Sequence, residues 1–226
     1  MQKYSEEPED HCAFTENFDR FYTRFAGAYD LLLKAFPLWK NWLRCAVPHL
    51  VGPRILEVSF GTGWLMTQYA DRFEVHGVDL NSRMVGIAQE NLDRSGLSAK
   101  LQQGNVESLP FRDDYFDTVL CTMAFSGYPN AQMALSEMVR VLKPNGRVVL
   151  IDVNYPANEN WFGVALTLFW VRSGDLVRDM STLFKINQLS YSNEEIGGCG
   201  SIRLYVASLR AAKTENEQAE NPIPRT

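Results

Sequence analysis

The 226-residue chain is 46% hydrophobic with a formal net charge of −5, a balance that suits one large core in an acidic, soluble protein. No basic patch speaks for nucleic acid, and the longest apolar stretch, Trp161 to Val171, is about half the ~20 residues a membrane crossing needs, so any membrane contact is expected to be peripheral. Cys12, Cys45, Cys121 and Cys199 show neither metal-ligand nor disulfide spacing, and the acidic start lacks the basic and apolar regions of a secretory signal, so no metal and a reduced, cytoplasmic setting are expected.

Residues 1–17 read as a loosely ordered acidic arm. From Phe18 the pattern turns helical, forming an N-terminal cap over 18–50. Trp39, Trp42, Leu43 and Ala46 share one face at i, i+3, i+4 and i+7, and Pro48 ends the helix. Short apolar strands then alternate with periodic helices: Arg54 to Val58, Glu74 to Val78, Lys100 to Gln103, Thr118 to Thr122 and Arg147 to Val153 as strands. Met84, Ile87, Ala88 and Leu92 stripe one intervening helix, capped by Asn81 or Ser82. Leu135, Met138, Val139 and Leu142 stripe another. Trp161 to Val171 and Leu176 to Phe184 read as helices of a lid or insertion over 157–187. Leu189 to Ser192 and Ile202 to Ala207 read as strands joined through Gly197-Gly198-Cys199-Gly200. The run beyond residue 210 has little apolar surface to bury, so 211–226 is expected to be disordered, leaving a single domain over 18–210. Alternation of this kind implies a doubly wound α/β fold with a mainly parallel sheet.

The chemistry concentrates in Glu57-Val58-Ser59-Phe60-Gly61-Thr62-Gly63. This reads as a buried strand, a tight glycine turn and a helix N-terminus, with a second strand ending at Asp79 about 20 residues on. Glycines at 61 and 63 admit positive φ and a close ligand approach, while a carboxylate at Asp79 can accept both hydroxyls of a ribose. A dinucleotide fingerprint would continue to a third glycine, where this chain has Met66. Glu57 would repel a pyrophosphate, yet it suits a cofactor carrying an amine and a sulfonium.

These residues resemble those of the class I S-adenosylmethionine-dependent methyltransferases, and within them the branch similar to the ubiquinone/menaquinone-biosynthesis enzymes. Ile55 to Gly63 matches the first motif, Gly77-Val78-Asp79-Leu80-Asn81 the acidic second strand, and Gln103 to Phe111 an adenine-side loop. Phe116-Asp117-Thr118-Val119 and Glu137 to Gly146 complete the set. The resemblance implies a Rossmann-like sheet, mostly parallel with an antiparallel final strand, preceded by N-terminal helices. It also implies S-adenosylmethionine as cofactor, held by Tyr29, Glu57, Ser59, Gly61, Gly63, Asp79, Leu80, Met84, Asn105, Val106 and Thr122. Two positions depart from the family: Ser59 stands where Gly is usual, and Asn105 where Asp is usual.

A methyl acceptor is expected beyond the carboxyl ends of the strands, where Phe125, Ser126, Tyr128, Asn154 and Tyr155 are candidate contacts. Asp152 could serve as general base toward a phenol or enol, or as a structural acceptor. Phe36, Trp39, Trp42, Trp161, Phe162, Phe169 and Trp170 could line an apolar pocket or fill the core. His76, inside a strand, reads as a core or surface residue rather than a catalytic one. Methylation of a small hydrophobic or aromatic acceptor is the leading reading; a non-catalytic cofactor-binding scaffold and, more distantly, an NAD-dependent oxidoreductase are the alternatives.

Overall fold

The computed structural model describes residues 4–17, 19, 20, 24 and 37–209. Tyr29, Phe36 and the tail over 211–226 lie outside the described residues.

Seven strands form one sheet: β1 (Arg54–Val58), β2 (Glu74–Asp79), β3 (Lys100–Gln103), β4 (Phe116–Thr122), β5 (Leu142–Val153), β6 (Leu189–Gly197) and β7 (Ile202–Leu209). Their order is β3-β2-β1-β4-β5-β7-β6. The first five strands are parallel, whereas β7 runs antiparallel to both β5 and β6. The helices around the sheet include α1 (Pro37–Arg44), α2 (Ser82–Arg94), α3 (Ala131–Arg140), α4 (Trp161–Arg172) and α5 (Met180–Ile186).

Alternation along the central strands divides the apolar side chains between two cores. Leu56, Val58, Val119, Cys121, Val148 and Leu150 join α3 and α5 in one core; Ile55, Leu120, Val149 and Ile151 join α1 and α2 in the other. Strands buried on both faces read as continuous apolar runs, which is why β1, β4 and β5 are legible. Asn81, Asn130, Asn160 and Asp179 cap the starts of α2, α3, α4 and α5, each accepting a backbone N–H three residues on.

Several boundaries differ from the sequence reading. No α-helix follows the glycine turn; Met66–Gln68 makes a single 3-10 turn. Tyr69 then leaves helical geometry (φ −148°, ψ −5°), and its hydroxyl donates to Glu57 Oε2 at 2.5 Å. Leu142 belongs to β5, where it pairs with Phe116. It was misplaced because it is fully buried in either role, and the stripe alone does not show that the helix closes at Arg140. The helix expected from Leu176 begins at Met180, because Asp179 supplies its cap and Leu176 N instead donates to Ser126 O at 2.8 Å.

Within the arm expected over 1–17, Tyr4 and Ser5 are held against the sheet domain. Ser5 N donates to Val177 O at 2.8 Å, Val177 N donates to Ser5 Oγ at 3.1 Å, and the Tyr4 ring meets Tyr155. Helix α4 buries only a narrow stripe through Gly163 and Thr167. A Cβ at Gly163 would lie 2.3 Å from Cys199 O, so the helix sits directly on the loop between β6 and β7. Trp161 and Phe162 stack on each other at its exposed start. His76 sits in a cage of Phe111, Tyr115 and Phe116, a core position.

Candidate functional site

A cavity opens beyond the carboxyl ends of β1, β2 and β4, where the strand order reverses between β1 and β4. That reversal separates the loops of adjacent strands and leaves a crevice for a ligand. Of the residues expected to hold a cofactor, Glu57, Ser59, Gly61, Asp79, Leu80, Met84, Asn105, Val106 and Thr122 all line it.

Asp79 organises the near wall. Its Oδ2 accepts Gly61 N at 2.8 Å and its Oδ1 accepts Asn81 N at 2.9 Å, tying the end of β2 to the glycine turn and to the cap of α2. Each carboxylate oxygen retains a second lone pair, so two ribose hydroxyls can still be received. Burial pushes Asp79 up to about 6, against the hydrogen bonds from those two N–H groups. Glu57, at the end of β1, is 1% exposed with Tyr69 as its hydrogen-bond partner. Burial, assisted by the charge of Asp79, pushes it up to about 8 despite the Tyr69 hydroxyl. A buried carboxylate with no cationic partner among the described residues is an acceptor that a cationic ligand would complete.

Ser59 adopts φ 50°, the left-handed conformation that the family's usual glycine adopts without strain. Its Oγ accepts the Tyr128 hydroxyl at 2.8 Å, so the loop after β4 holds the turn from above. Asn105 Oδ1 caps Glu107 N at 2.9 Å, leaving its amide nitrogen as a donor.

The two glycines do different work. At Gly61 (φ 55°) an added Cβ would meet nothing within 4 Å, since it would enter the cavity; at Gly63 (φ 67°) it would lie 2.7 Å from the Ala88 Cβ of α2. Gly63 lies outside the cavity lining and lets α2 pack closely against the turn.

The acceptor candidates separate. Tyr128 lines the cavity. Phe125 is buried in the core beside it, and Asn154 donates to Arg178 O and to the Tyr205 hydroxyl. Tyr155 packs under Tyr4, and Phe162 is 60% exposed on α4; none of these four lines the cavity. Asp152 is likewise behind the wall, accepting Ser126 N at 2.8 Å and Val153 N at 2.6 Å. Of the aromatic residues weighed as a pocket, Trp39 reaches the cavity, with Trp170 packed behind it at 6.0 Å.

Four lining residues had no local signal. Asp19 and Thr15 come from the N-terminal segment, and Asp19 Oδ1 accepts the Asn81 amide at 2.8 Å. Met123 carries φ 53° at the end of β4, and Asp175 arrives from the loop after α4.

The glycine contrast predicts different costs. Gly63→Ala should lower unfolding free energy by ~1–3 kcal/mol through overpacking at Ala88, beyond the backbone strain both sites share. Gly61→Ala should cost about 1–2 kcal/mol, from strain alone. Urea unfolding of both variants measures this, and a larger loss at Gly61 would contradict the packing assignment.

Residues 56–150 match the family model described as a methyltransferase domain. The chain is 31% identical over 157 residues to the demethylmenaquinone methyltransferase of Deinococcus radiodurans, covering 66% of this chain and 65% of that protein. It is 32% identical to the ubiquinone/menaquinone biosynthesis C-methyltransferase UbiE of Edwardsiella ictaluri over 58% of this chain and 57% of that one. The matched region thus spans less than two thirds of these relatives' own length. Among solved structures, an S-adenosylmethionine-dependent methyltransferase from Clostridium acetobutylicum superposes with a TM-score of 0.64 at 17% identity, covering 84% of this chain and 99% of that one, a likeness of fold. With the motifs, the sheet order and the cavity in agreement, residues 56–150 carry a methyltransferase domain whose cofactor is S-adenosylmethionine, and the chain is similar to the UbiE branch of the class I S-adenosylmethionine-dependent methyltransferases.

Proposed function

We propose that the protein transfers a methyl group to a small aromatic or hydrophobic acceptor of the quinol type. The observation that carries this reading is the set of polar side chains, Glu57, Asp79 and Asn105, around one cavity. In this reading Asp79 receives the ribose hydroxyls, Asn105 and Val106 face the adenine, and Glu57 meets the cationic amino-acid end. Gly61 leaves room for the chain between them. The likeness to a demethylmenaquinone methyltransferase and to a ubiquinone/menaquinone biosynthesis C-methyltransferase supports an acceptor of that chemistry.

When bound, the cofactor supplies a methyl group made electrophilic by its sulfonium. The protein's part is to bind, align and exclude water, which accounts for most of the rate in such a reaction. Trp39, Leu43 and Leu65 give the cavity apolar walls, and Thr122, Met123, Ala124 and Tyr128 form its side nearest the end of β4, where the acceptor is placed in this reading. Incubation with methyl-labelled S-adenosylmethionine and reduced 1,4-naphthohydroquinone should yield a labelled aromatic product. Cofactor binding with no transfer to hydroquinones, phenols or amines would favour the scaffold reading instead.

Glu57 also predicts a pH dependence. Its folded value of about 8 lies above the ordinary 4.5, so its contribution to stability is full below about pH 4.5 and is lost as pH rises toward 8. Receiving a cation requires the ionised form. The affinity for S-adenosylmethionine should therefore rise between pH 6 and about 8.5 while the ligand-free melting temperature falls. Glu57→Gln should flatten both curves. Calorimetry and thermal melts across that range test this, and an unchanged pH dependence in the variant would contradict it.

A further inference from the structure

Behind the wall of the cavity, two carboxylates share one hydroxyl. Ser126 Oγ lies 2.9 Å from Asp152 Oδ1 and 2.7 Å from Asp175 Oδ1. A hydroxyl carries one proton and can donate to only one of them. Both contacts are hydrogen bonds only if one carboxyl is itself protonated and donates to Ser126 Oγ. Asp152 also accepts Ser126 N and Val153 N, a set of donors that favours its anion. Asp175 has Ser126 as its one side-chain partner among the described residues, so it carries the proton.

Their positions differ in the way a relay requires. Asp152 is 3% exposed and outside the cavity lining, whereas Asp175 lines the cavity on the side of Met123, Ala124 and Tyr128. Leu176 N, donating to Ser126 O at 2.8 Å, fixes the loop that brings Asp175 there. Among the described residues, the groups facing the pair bring it no cation. Cys121 and Tyr205 lie within electrostatic reach of Asp152, and the Arg178 guanidinium donates to Tyr128 O and Pro129 O instead.

We propose that Asp175 is the catalytic base that takes the proton of a hydroxyl-bearing acceptor, with Ser126 and Asp152 as positioning residues that pass a proton inward. This rests on the methyl-transfer reading and adds to it that the acceptor's reacting group ionises at an O–H. The acceptor's proton passes to Asp175, the proton Asp175 held passes to Ser126 Oγ, and the Ser126 proton passes to Asp152. The pair goes from one proton to two and from charge −1 to 0. The electrons of the broken O–H bond serve to form the new bond to carbon or oxygen, and the electron pair of the methyl–sulfur bond stays on sulfur. Burial and the nearness of the second carboxyl raise Asp152 to about 7, and burial raises Asp175, so the coupled pair shares one proton at neutral pH.

The test uses the full chain with 13C-labelled aspartate carboxyls, titrated by NMR with Asp152→Asn and Asp175→Asn as assignments. One carboxyl of the pair should remain protonated at pH 6, and both should shift together as it titrates. Finding both ionised at pH 6 overturns the relay. In parallel, Asp175→Asn should lower kcat on 1,4-naphthohydroquinone by about 100-fold or more while S-adenosylmethionine affinity by calorimetry holds within about twofold. Ser126→Ala should lower kcat and abolish the coupled titration, and Ser126→Thr should restore both. Unchanged kcat in Asp175→Asn, or an equal loss of cofactor affinity, overturns the assignment; the latter makes Asp175 a cofactor contact. If the wild type binds the cofactor yet leaves this acceptor unmethylated, the quinol-type reading fails, and the carboxyl titration still decides the relay.

Discussion

The site depends on one buried carboxylate. By accepting Gly61 N and Asn81 N at once, Asp79 joins the end of β2, the glycine turn after β1 and the start of α2. Without it, two backbone N–H groups at the mouth of the cavity lose their partner, and the loops carrying Glu57, Ser59 and Asn81 lose their common anchor. Asn81 extends the same network in two directions, capping α2 through Met84 N and reaching Asp19 of the N-terminal segment.

That network accounts for the acidity gradient across the cavity. Glu57 and Asp79 are both raised by burial, and each lacks a cation among the described residues. Tyr69 satisfies Glu57 only as a neutral hydroxyl, and its own ionisation is suppressed by burial and by Glu57. Keeping such a group ionised is costly in the free protein and favourable once a cationic ligand arrives, so affinity gains from an arrangement that costs stability.

The central fold was legible because its signals are local. Buried strands such as Val148 to Ile151 are unbroken apolar runs, and α2 and α3 announce themselves by an Asn cap before a 3.6-residue stripe. What was not legible depends on tertiary contact. Gly63 reads locally as a ligand glycine, yet Ala88 lies against it, and Asp152, weighed as a base or a structural acceptor, lies outside the cavity that Asp175 lines. Asp19 and Asp175 reach the cavity from distant segments, and nothing in their immediate sequence marks them. Helix α4 misled differently. Its apolar length suggested a lid or core, yet the close seat at Gly163 and Thr167 turns Phe162 and Phe169 outward.

The most direct test of the Asp79 anchor is calorimetric titration of wild type and Asp79→Ala with S-adenosylmethionine at pH 8. Loss of two charge-assisted hydrogen bonds to the ribose should weaken binding by about 2–4 kcal/mol, with the wild type showing no affinity for NAD. Equal affinity in the two proteins, or tight binding of NAD, would contradict the account.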